Sequence, residues 1–146
     1  MQALTREDLY SLEQYAQVRD TFRAQVMAHK KHRKVAVGPN ATLYFEDRLT
    51  MQYQIQEMLR VERIFEPAEI QQELDAYNPL IPDGSNWKAT FMLEYDDVAE
   101  RREALARLIG VEDQGCVRVT GHARGWGIAE EAVEGEASEK TSSVHF

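Results

Sequence analysis

Apolar residues are densest along residues 42–65, whose sequence is TLYFEDRLTMQYQIQEMLRVERIF. The first few residues alternate as in a strand, and the rest follow the helical period of about 100° per residue. One face of the helix is predicted to lie in the core, and it carries Met51, Ile55, Met58 and Phe65. A second, weaker apolar patch on its opposite side is formed by Leu49, Tyr53 and Ile64. A helix that is apolar on two sides is usually packed between a sheet and another helix, or lies at a subunit interface.

One carboxylate, Glu62, falls within the predicted core face of this helix. An unpaired charge that is removed from water costs several kcal/mol, so Glu62 must be paired, protonated or bound to a metal. We predict that it is mostly buried and paired with an arginine, the candidates being Arg48, Arg101 and Arg102. Asp47 directly precedes the helix and is predicted to cap its N-terminus.

The chain before this helix predicts two helices and a β-hairpin. Thr5 and Asp8 have the spacing of a capped short helix, and a longer helix is predicted over residues 17–32. A Gly-Pro-Asn turn then separates two short β segments, Lys34–Val37 and Ala41–Phe45. Such an arrangement is typical of a hairpin.

The chain after the central helix alternates between helical and β patterns. Pro67 suits the first turn of a helix that Asn78-Pro79 ends. Residues 88–95 alternate as in a strand, and Asp97 and Gly110 mark the ends of a further helix. The remaining segments are predicted as a strand at 116–120, a loop at 121–127, a solvated acidic helix at 130–139 and a strand at 143–146.

These elements predict an α+β fold, in which a mostly antiparallel sheet has helices packed on it. The predicted strands are those around Val35 and at Ala41–Phe45, 88–95, 116–120 and 143–146. A length of 146 residues is typical of one domain. We therefore expect a single domain over residues 1–146.

A proline-stiffened loop, NPLIPDGSNW at residues 78–87, follows the helix that begins at Pro67. Its polar residues are typical of a binding loop. They are equally typical of an anchored connection in which Leu80 and Ile81 enter the core. Tyrosine and arginine are favoured at protein interfaces. The predicted binding residues are therefore Tyr53, Arg60, Arg63, Asn78, Asp83, Ser85 and Asn86.

A basic segment, HKKHRK at residues 29–34, ends the predicted long helix. Cations at a helix C-terminus complement the helix dipole, although the same segment could bind an anion. His29 and His32 are one helical turn apart and could share a metal with a carboxylate such as Glu62. The sequence alone does not distinguish between a solvated helix end, an anion site and a metal site for this segment.

Composition narrows the classes of function. Charged residues at 29% and hydrophobic residues at 43% are typical of a folded, water-soluble protein. No apolar run approaches the roughly 20 residues of a membrane helix, and the acidic N-terminus is no signal peptide, so cytoplasmic residence is expected. A net charge of −8 argues against general nucleic-acid binding. The single cysteine, Cys116, excludes an intrachain disulfide and is predicted to be a buried, inert thiol.

Motifs for nucleotide, metal or nucleophile chemistry are missing from the sequence. It contains no glycine-rich phosphate loop, no G-x-S-x-G turn and no HExxH pair. No serine–histidine–aspartate or cysteine–histidine set can be nominated from spacing. We therefore expect no cofactor of the chain's own.

The segments LYFEDRLTMQYQIQEMLRVERIF and ELDAYNPLIPDGSNWKATFMLEY resemble a bacterial family known only as a domain of unknown function. The resemblance extends to LTREDLYSLEQY, MAHKKHRKVAVGPNATL, ERREALARLIGVED and EKTSSVHF, and so covers nearly the whole chain. Genes of this family are often found beside those for rubrerythrin and for an iron–sulfur oxidoreductase that resembles a component of glycerol-3-phosphate dehydrogenase. The resemblance therefore implies a role near peroxide defence or electron transfer. It also implies a chain of about 190 residues that continues past Phe146.

Two classes of function follow from these observations. The first is a non-catalytic accessory or adaptor that docks on rubrerythrin or on the iron–sulfur oxidoreductase, with self-association as a further option. The second is a metal- or small-ligand-binding protein, which could be an enzyme. We favour the adaptor, because the chain has a helix that is apolar on two sides and no recognisable catalytic set.

Overall fold

A computed structural model describes residues 2–129 and 141–146, with backbone alone for residues 141–144. The described chain forms two compact units. Met1–Lys34 and Phe45–Lys88 make up the first unit, and Val35–Tyr44 with Ala89–Phe146 make up the second. The expectation of one domain over residues 1–146 stays a prediction.

The first unit is helical, and local sequence signals explain where its helices begin. Helix α1 (Leu12–Lys30) begins after Ser11, whose hydroxyl accepts a hydrogen bond from the Gln14 N–H. Helix α2 (Arg48–Glu62) is capped by Asp47, as predicted, and helix α3 (Pro67–Tyr77) has Pro67 in its first turn. Within the described residues, no helix is both long and apolar enough to cross a membrane.

The first unit packs helix α2 between two groups of apolar side chains. One group is Leu4, Met51, Ile55, Leu59, Ile64, Leu74, Leu80 and Ile81, all at most 9% exposed. The other group comprises Tyr15, Phe22 and Val26 from α1, with Leu49 and Tyr53 of α2 packed against them. The predicted second apolar side is confirmed for Leu49 and Tyr53, which α1 covers, whereas Ile64 belongs to the first group.

The predicted environment of Glu62 is wrong. Glu62 is the last residue of α2 and is exposed to solvent. Arg63 follows in the left-handed conformation at φ 55°, so the chain turns and Ile64, rather than Phe65, returns to the core. Arg48, one of the partners predicted for Glu62, pairs instead with the Asp8 carboxylate at 3.0 Å.

An antiparallel sheet, most of whose residues belong to the second unit, has the strand order β1-β2-β3-β6. These strands are β1 (Lys34–Val37), β2 (Ala41–Phe45), β3 (Ala89–Glu94) and β6 (Thr141–His145). Strand β3 runs antiparallel to β6, with Phe91 opposite Val144. The α+β fold class and the predicted hairpin are confirmed.

A separate ribbon is formed by β4 (Cys116–Arg118) and β5 (Arg124–Trp126), which follow helix α4 (Val98–Arg107). The prediction that residues 116–120 join the main sheet is therefore wrong, and the predicted loop at 121–127 contains a strand. Cys116 lies opposite Trp126 and is exposed, so its predicted burial is also wrong. The acidic helix predicted at 130–139 lies outside the described residues.

Candidate functional site

Tyr53 does not belong to an open surface. Its ring lies 6.1 Å from the ring of Phe22, centroid to centroid, within the cluster that joins α1 to α2. Leu49 packs against the same cluster, and Ile64 belongs to the other apolar group. The second apolar side of α2 is thus covered by the chain itself, and Tyr53 has a packing role.

An exposed surface lies instead at the C-terminal end of α2. Val61 and Phe65 are 67% and 69% exposed, and Arg60 and Arg63 lie in the same short segment. We call these four residues the 60–65 surface. The Ile64 N–H donates to the Leu59 carbonyl over 2.9 Å, which closes the turn after the helix. The 60–65 surface therefore has a defined backbone shape.

The loop at residues 78–86 divides into an anchored part and an exposed turn. Leu80 and Ile81 are buried, as the anchored interpretation predicts. In the exposed turn, the Asp83 carboxylate accepts from the Ser85 hydroxyl at 2.7 Å and from the Ser85 N–H at 2.8 Å. These bonds lower the pKa of Asp83, the hydroxyl bond most strongly. The Asn86 side chain accepts from the Asp83 N–H at 3.0 Å and closes the turn.

The predicted metal ligands are not brought together. His29 contacts Asp47, which precedes the first turn of α2, whereas Glu62 ends the same helix. At 1.5 Å per residue, the two ends of α2 are about 20 Å apart. His32 is exposed, and its N–H donates to the His29 carbonyl. Among the described residues, no group of three or more histidine, cysteine, aspartate or glutamate side chains is placed to hold a metal ion.

His29 takes part instead in a polar cluster at the start of α2. Its Nε2 lies 2.6 Å from the Asp47 carboxylate, and the Arg33 Nε lies 3.3 Å from the same oxygen. Arg33 also donates to the Phe45 carbonyl at 2.9 Å. Thr50 donates its hydroxyl to the Glu46 carboxylate, and both residues are buried. The cluster joins the C-terminal end of α1 to the N-terminus of α2.

The Asp47 carboxylate in this cluster is held in its ionised form. Burial by itself would raise the pKa of Asp47. The hydrogen bond from the Thr50 N–H and the charges of His29 and Arg33 outweigh burial, and the pKa is lowered. The carboxylate contact at Nε2 orients the imidazole ring. The His29 side chain is 35% exposed, so solvent and solutes can reach the ring.

Glu57 is a second polar centre, which the sequence pattern does not single out. Its carboxylate accepts from Arg19 at 2.9 Å, from the Tyr15 hydroxyl at 3.3 Å and from Arg60 at 3.0 Å. Burial would raise the pKa of Glu57, but the bonds from Arg60 and Arg19 lower it. Burial and the nearby Glu57 charge raise the pKa of Tyr15. The contacts with Tyr15 and Arg19 join the N-terminal half of α1 to α2.

The N-terminal segment, residues 2–10, is held against α2 and α3, and we call it the strap. The Asn78 side-chain amide bonds both the N–H and the carbonyl of Leu4, at 2.8 and 2.9 Å. The Gln56 amide does the same at Tyr10, at 2.7 and 3.3 Å. The sequence pattern places Asn78 in a binding loop and gives Gln56 no role. Their partners lie 74 and 46 residues away, a separation at which local patterns carry no signal.

An open cavity of about 700 Å³ lies beside the strap. Leu59 and Ile70 contribute to its apolar lining, and the strap contributes Arg6, Leu9 and Tyr10. The cavity shows that residues 5–11 do not fill the space next to α3.

Comparison with protein families and solved structures places these features in a wider group. The model of the family described as "Protein of unknown function (DUF3501)" matches residues 3–146. A search of curated proteins finds no significant match. The chain is similar to a novel protein of unknown function from Burkholderia pseudomallei, whose crystal structure was determined at 1.90 Å. The two are 52% identical with a TM-score of 0.89, over 99% of this chain and 75% of that chain. The chain belongs to the DUF3501 family of proteins of unknown function.

Proposed function

We propose that this protein is a non-catalytic accessory protein of a redox or peroxide-defence system, and that it acts by binding a partner protein. The 60–65 surface is the proposed docking site. The observation that carries the proposal is the exposure of Val61 and Phe65, which are 67% and 69% exposed at one helix end. Aromatic side chains and arginines, here Phe65 with Arg60 and Arg63, are enriched at protein interfaces.

Rigidity of the docking site supports the same proposal. Helix α2 is packed on both sides and bonded to α1 through Asp47 and Glu57. The turn at Arg63 is closed by the Ile64–Leu59 hydrogen bond. A surface that is fixed before binding loses less conformational entropy when a partner docks.

The proposed partner is rubrerythrin or the iron–sulfur oxidoreductase, because the family resemblance implies that their genes are neighbours. Each candidate from the same genome is co-expressed with the tagged chain and tested for co-purification. We expect one of these two proteins to co-purify with the wild-type chain and to be absent when the Phe65→Asp variant is purified. Ile109→Asp is the matched control, since Ile109 is apolar and 85% exposed but lies in the second unit.

The co-purification experiment has two results that would overturn the proposal. One is that neither candidate protein co-purifies with the wild-type chain. The other is that Phe65→Asp retains a partner as well as Ile109→Asp does. Because both substituted side chains are exposed, a difference between the variants reports binding rather than folding.

A second candidate function, binding of a small anion, is favoured by the His29–Asp47 pair. The oriented, partly exposed imidazole lies in the same segment as Lys31, His32 and Lys34, all three of which are exposed. Titration with inorganic phosphate, followed by the NMR signals of the His29 ring, tests this function. Saturable shifts at His29 that persist in His32→Gln would support it. Signals that do not change up to millimolar phosphate would exclude it.

A further inference from the structure

The strap is bound to the first unit in the way that a separate peptide would be bound. Asn78 and Gln56 each pair with the backbone N–H and carbonyl of one strap residue, Leu4 and Tyr10 respectively. Side-chain amides thus take the place of a neighbouring strand. Recognition of backbone groups together with one side-chain pocket is the usual way in which proteins bind extended peptides.

A row of polar side chains on α2 completes the contacts with the strap. Arg48, Gln52 and Gln56 are spaced four residues apart and therefore lie along one side of the helix. The Gln52 amide donates to the Asp8 carbonyl at 3.0 Å. Arg48 donates to the Gln2 carbonyl at 3.1 Å and pairs with the Asp8 carboxylate at 3.0 Å. We call the surface that holds the strap the groove, and it is formed by Arg48, Gln52, Gln56 and Asn78. The groove thus combines recognition of the strap backbone with one site for an acidic side chain.

Leu4 is the most buried apolar side chain of the strap, and Leu9 packs, partly buried, against the same core group. Leu4 is 3% exposed and belongs to the core group with Met51 and Ile55. The strap residues on either side of it, from residue 2 to residue 7, are exposed. The ligand that fits this groove is therefore a segment with a buried leucine, a short 3₁₀ turn like that of Arg6–Asp8 and an acidic residue four positions after the leucine.

We propose that this groove is a peptide-binding site, that the chain's own strap is its resident occupant, and that the strap of a second copy of the chain can replace it. Exchange of an identical segment reproduces every contact in the partner copy and so needs no new complementarity. The strap is suited to release, because its backbone is held mainly by side chains and the neighbouring cavity leaves it incompletely packed.

The strap of the same molecule has the advantage in this competition. A tethered segment has an effective concentration in the millimolar range, so a free peptide enters the groove only after the resident strap is weakened. This proposal is independent of the proposed function, because the groove contacts and the 60–65 surface consist of different residues.

The test uses a fluorescent peptide with the sequence of residues 2–11 and the full-length protein. Two variants weaken the strap and leave the groove unchanged. Leu4→Asp removes the main apolar anchor, and Asp8→Ala removes the contact with Arg48 and the two hydrogen bonds from Thr5 that cap the turn within the strap. We expect the peptide to bind each folded variant at least tenfold more tightly than it binds the wild-type chain, as measured by fluorescence anisotropy. If Leu4→Asp does not fold, Asp8→Ala carries the same comparison, since Asp8 lies outside the core.

A groove variant and a control peptide make the result specific. Adding Gln56→Leu to a strap-weakened variant removes the amide that pairs with Tyr10, and we expect peptide binding to fall back at least tenfold. A peptide with Leu4→Asp should not bind. The proposal is overturned if folded strap-weakened variants bind the peptide no better than the wild-type chain does. It is also overturned if binding is unaffected by Gln56→Leu.

Discussion

The side chain of Gln56 pairs with the backbone of Tyr10 as a neighbouring strand would. Its Oε1 accepts from the Tyr10 N–H at 2.7 Å and its Nε2 donates to the Tyr10 carbonyl at 3.3 Å. Gln56 is fully buried, so water cannot replace either bond at the glutamine. The position of the strap therefore depends on a polar residue within the helical core.

Replacement of Gln56 tests that dependence. Gln56→Leu keeps the approximate size of the side chain but leaves the Tyr10 N–H and carbonyl without this partner, so we expect a loss of about 2 kcal/mol in the free energy of unfolding. Gln71→Leu is the control, because Gln71 is exposed and bonds Asp75 on its own helix. Denaturant unfolding measures both variants. Equal midpoints for Gln56→Leu and the wild-type chain would contradict the role of this residue.

Two aspartates cap helices in different surroundings. Comparing them separates the contribution of the polar cluster at α2 to the free energy of unfolding from that of the cap. Asp47 caps α2 and contacts His29 and Arg33, whereas Asp97 caps α4 and is exposed. We expect Asp97→Ala to cost about 1 kcal/mol, the usual value of a cap. Asp47→Ala should cost about 3 kcal/mol, because it also removes the carboxylate that His29 and Arg33 contact.

Thermal unfolding of both variants measures this difference. If the two substitutions cost the same, the contacts of Asp47 with His29 and Arg33 contribute nothing beyond the cap.

The lowered pKa of Asp47 predicts a dependence of stability on pH. The folded state holds the ionised carboxylate more strongly than the unfolded state does. The stability from this group is therefore fully present above the ordinary aspartate pKa of about 4 and is lost as the pH falls through the lower folded-state value. We expect the thermal midpoint to fall less steeply between pH 5 and pH 2 in Asp47→Asn than in the wild-type chain. Parallel pH profiles would show that the carboxylate does not titrate as described.

Two glutamates on α2 are predicted to differ in their contribution to stability. Glu57 accepts hydrogen bonds from Tyr15, Arg19 and Arg60, and Glu62 is exposed at the helix end. We expect Glu57→Ala to cost about 2 kcal/mol and Glu62→Ala to stay within about 0.5 kcal/mol of the wild-type chain. Denaturant midpoints distinguish the two. A large effect of Glu62→Ala would restore the buried position that the sequence suggests.

Elements with local signals could be predicted from the sequence. The Asp47 cap, the proline at the start of α3 and the turn between β1 and β2 each depend on residues within a few positions of one another. The phase of α2 near its C-terminus could not be predicted. No glycine marks the end of the helix, since Arg63 adopts the left-handed conformation that glycine usually takes.

The polar centres could be predicted only in part, because their partners are distant in sequence. The spacing of His29 and His32 suggests metal binding, but the partner of His29 is the helix cap Asp47. Gln56 and Glu57 are adjacent in the sequence, yet Gln56 forms hydrogen bonds with the strap and Glu57 forms them with α1. The aromatic cluster of α1 covers the side of α2 that the pattern assigns to an interface. Periodicity identifies an apolar face but not the element that covers it.

The most direct test of the proposed accessory function is the dissociation constant between the full chain and the co-purifying partner, rubrerythrin or the iron–sulfur oxidoreductase. Isothermal titration calorimetry is performed with the wild-type chain, with Phe65→Asp and with Ile109→Asp. We expect Phe65→Asp to weaken binding at least about 30-fold, the loss expected of a central aromatic interface residue, and Ile109→Asp to leave the affinity unchanged. Equal affinities of Phe65→Asp and the wild-type chain would contradict docking through the 60–65 surface.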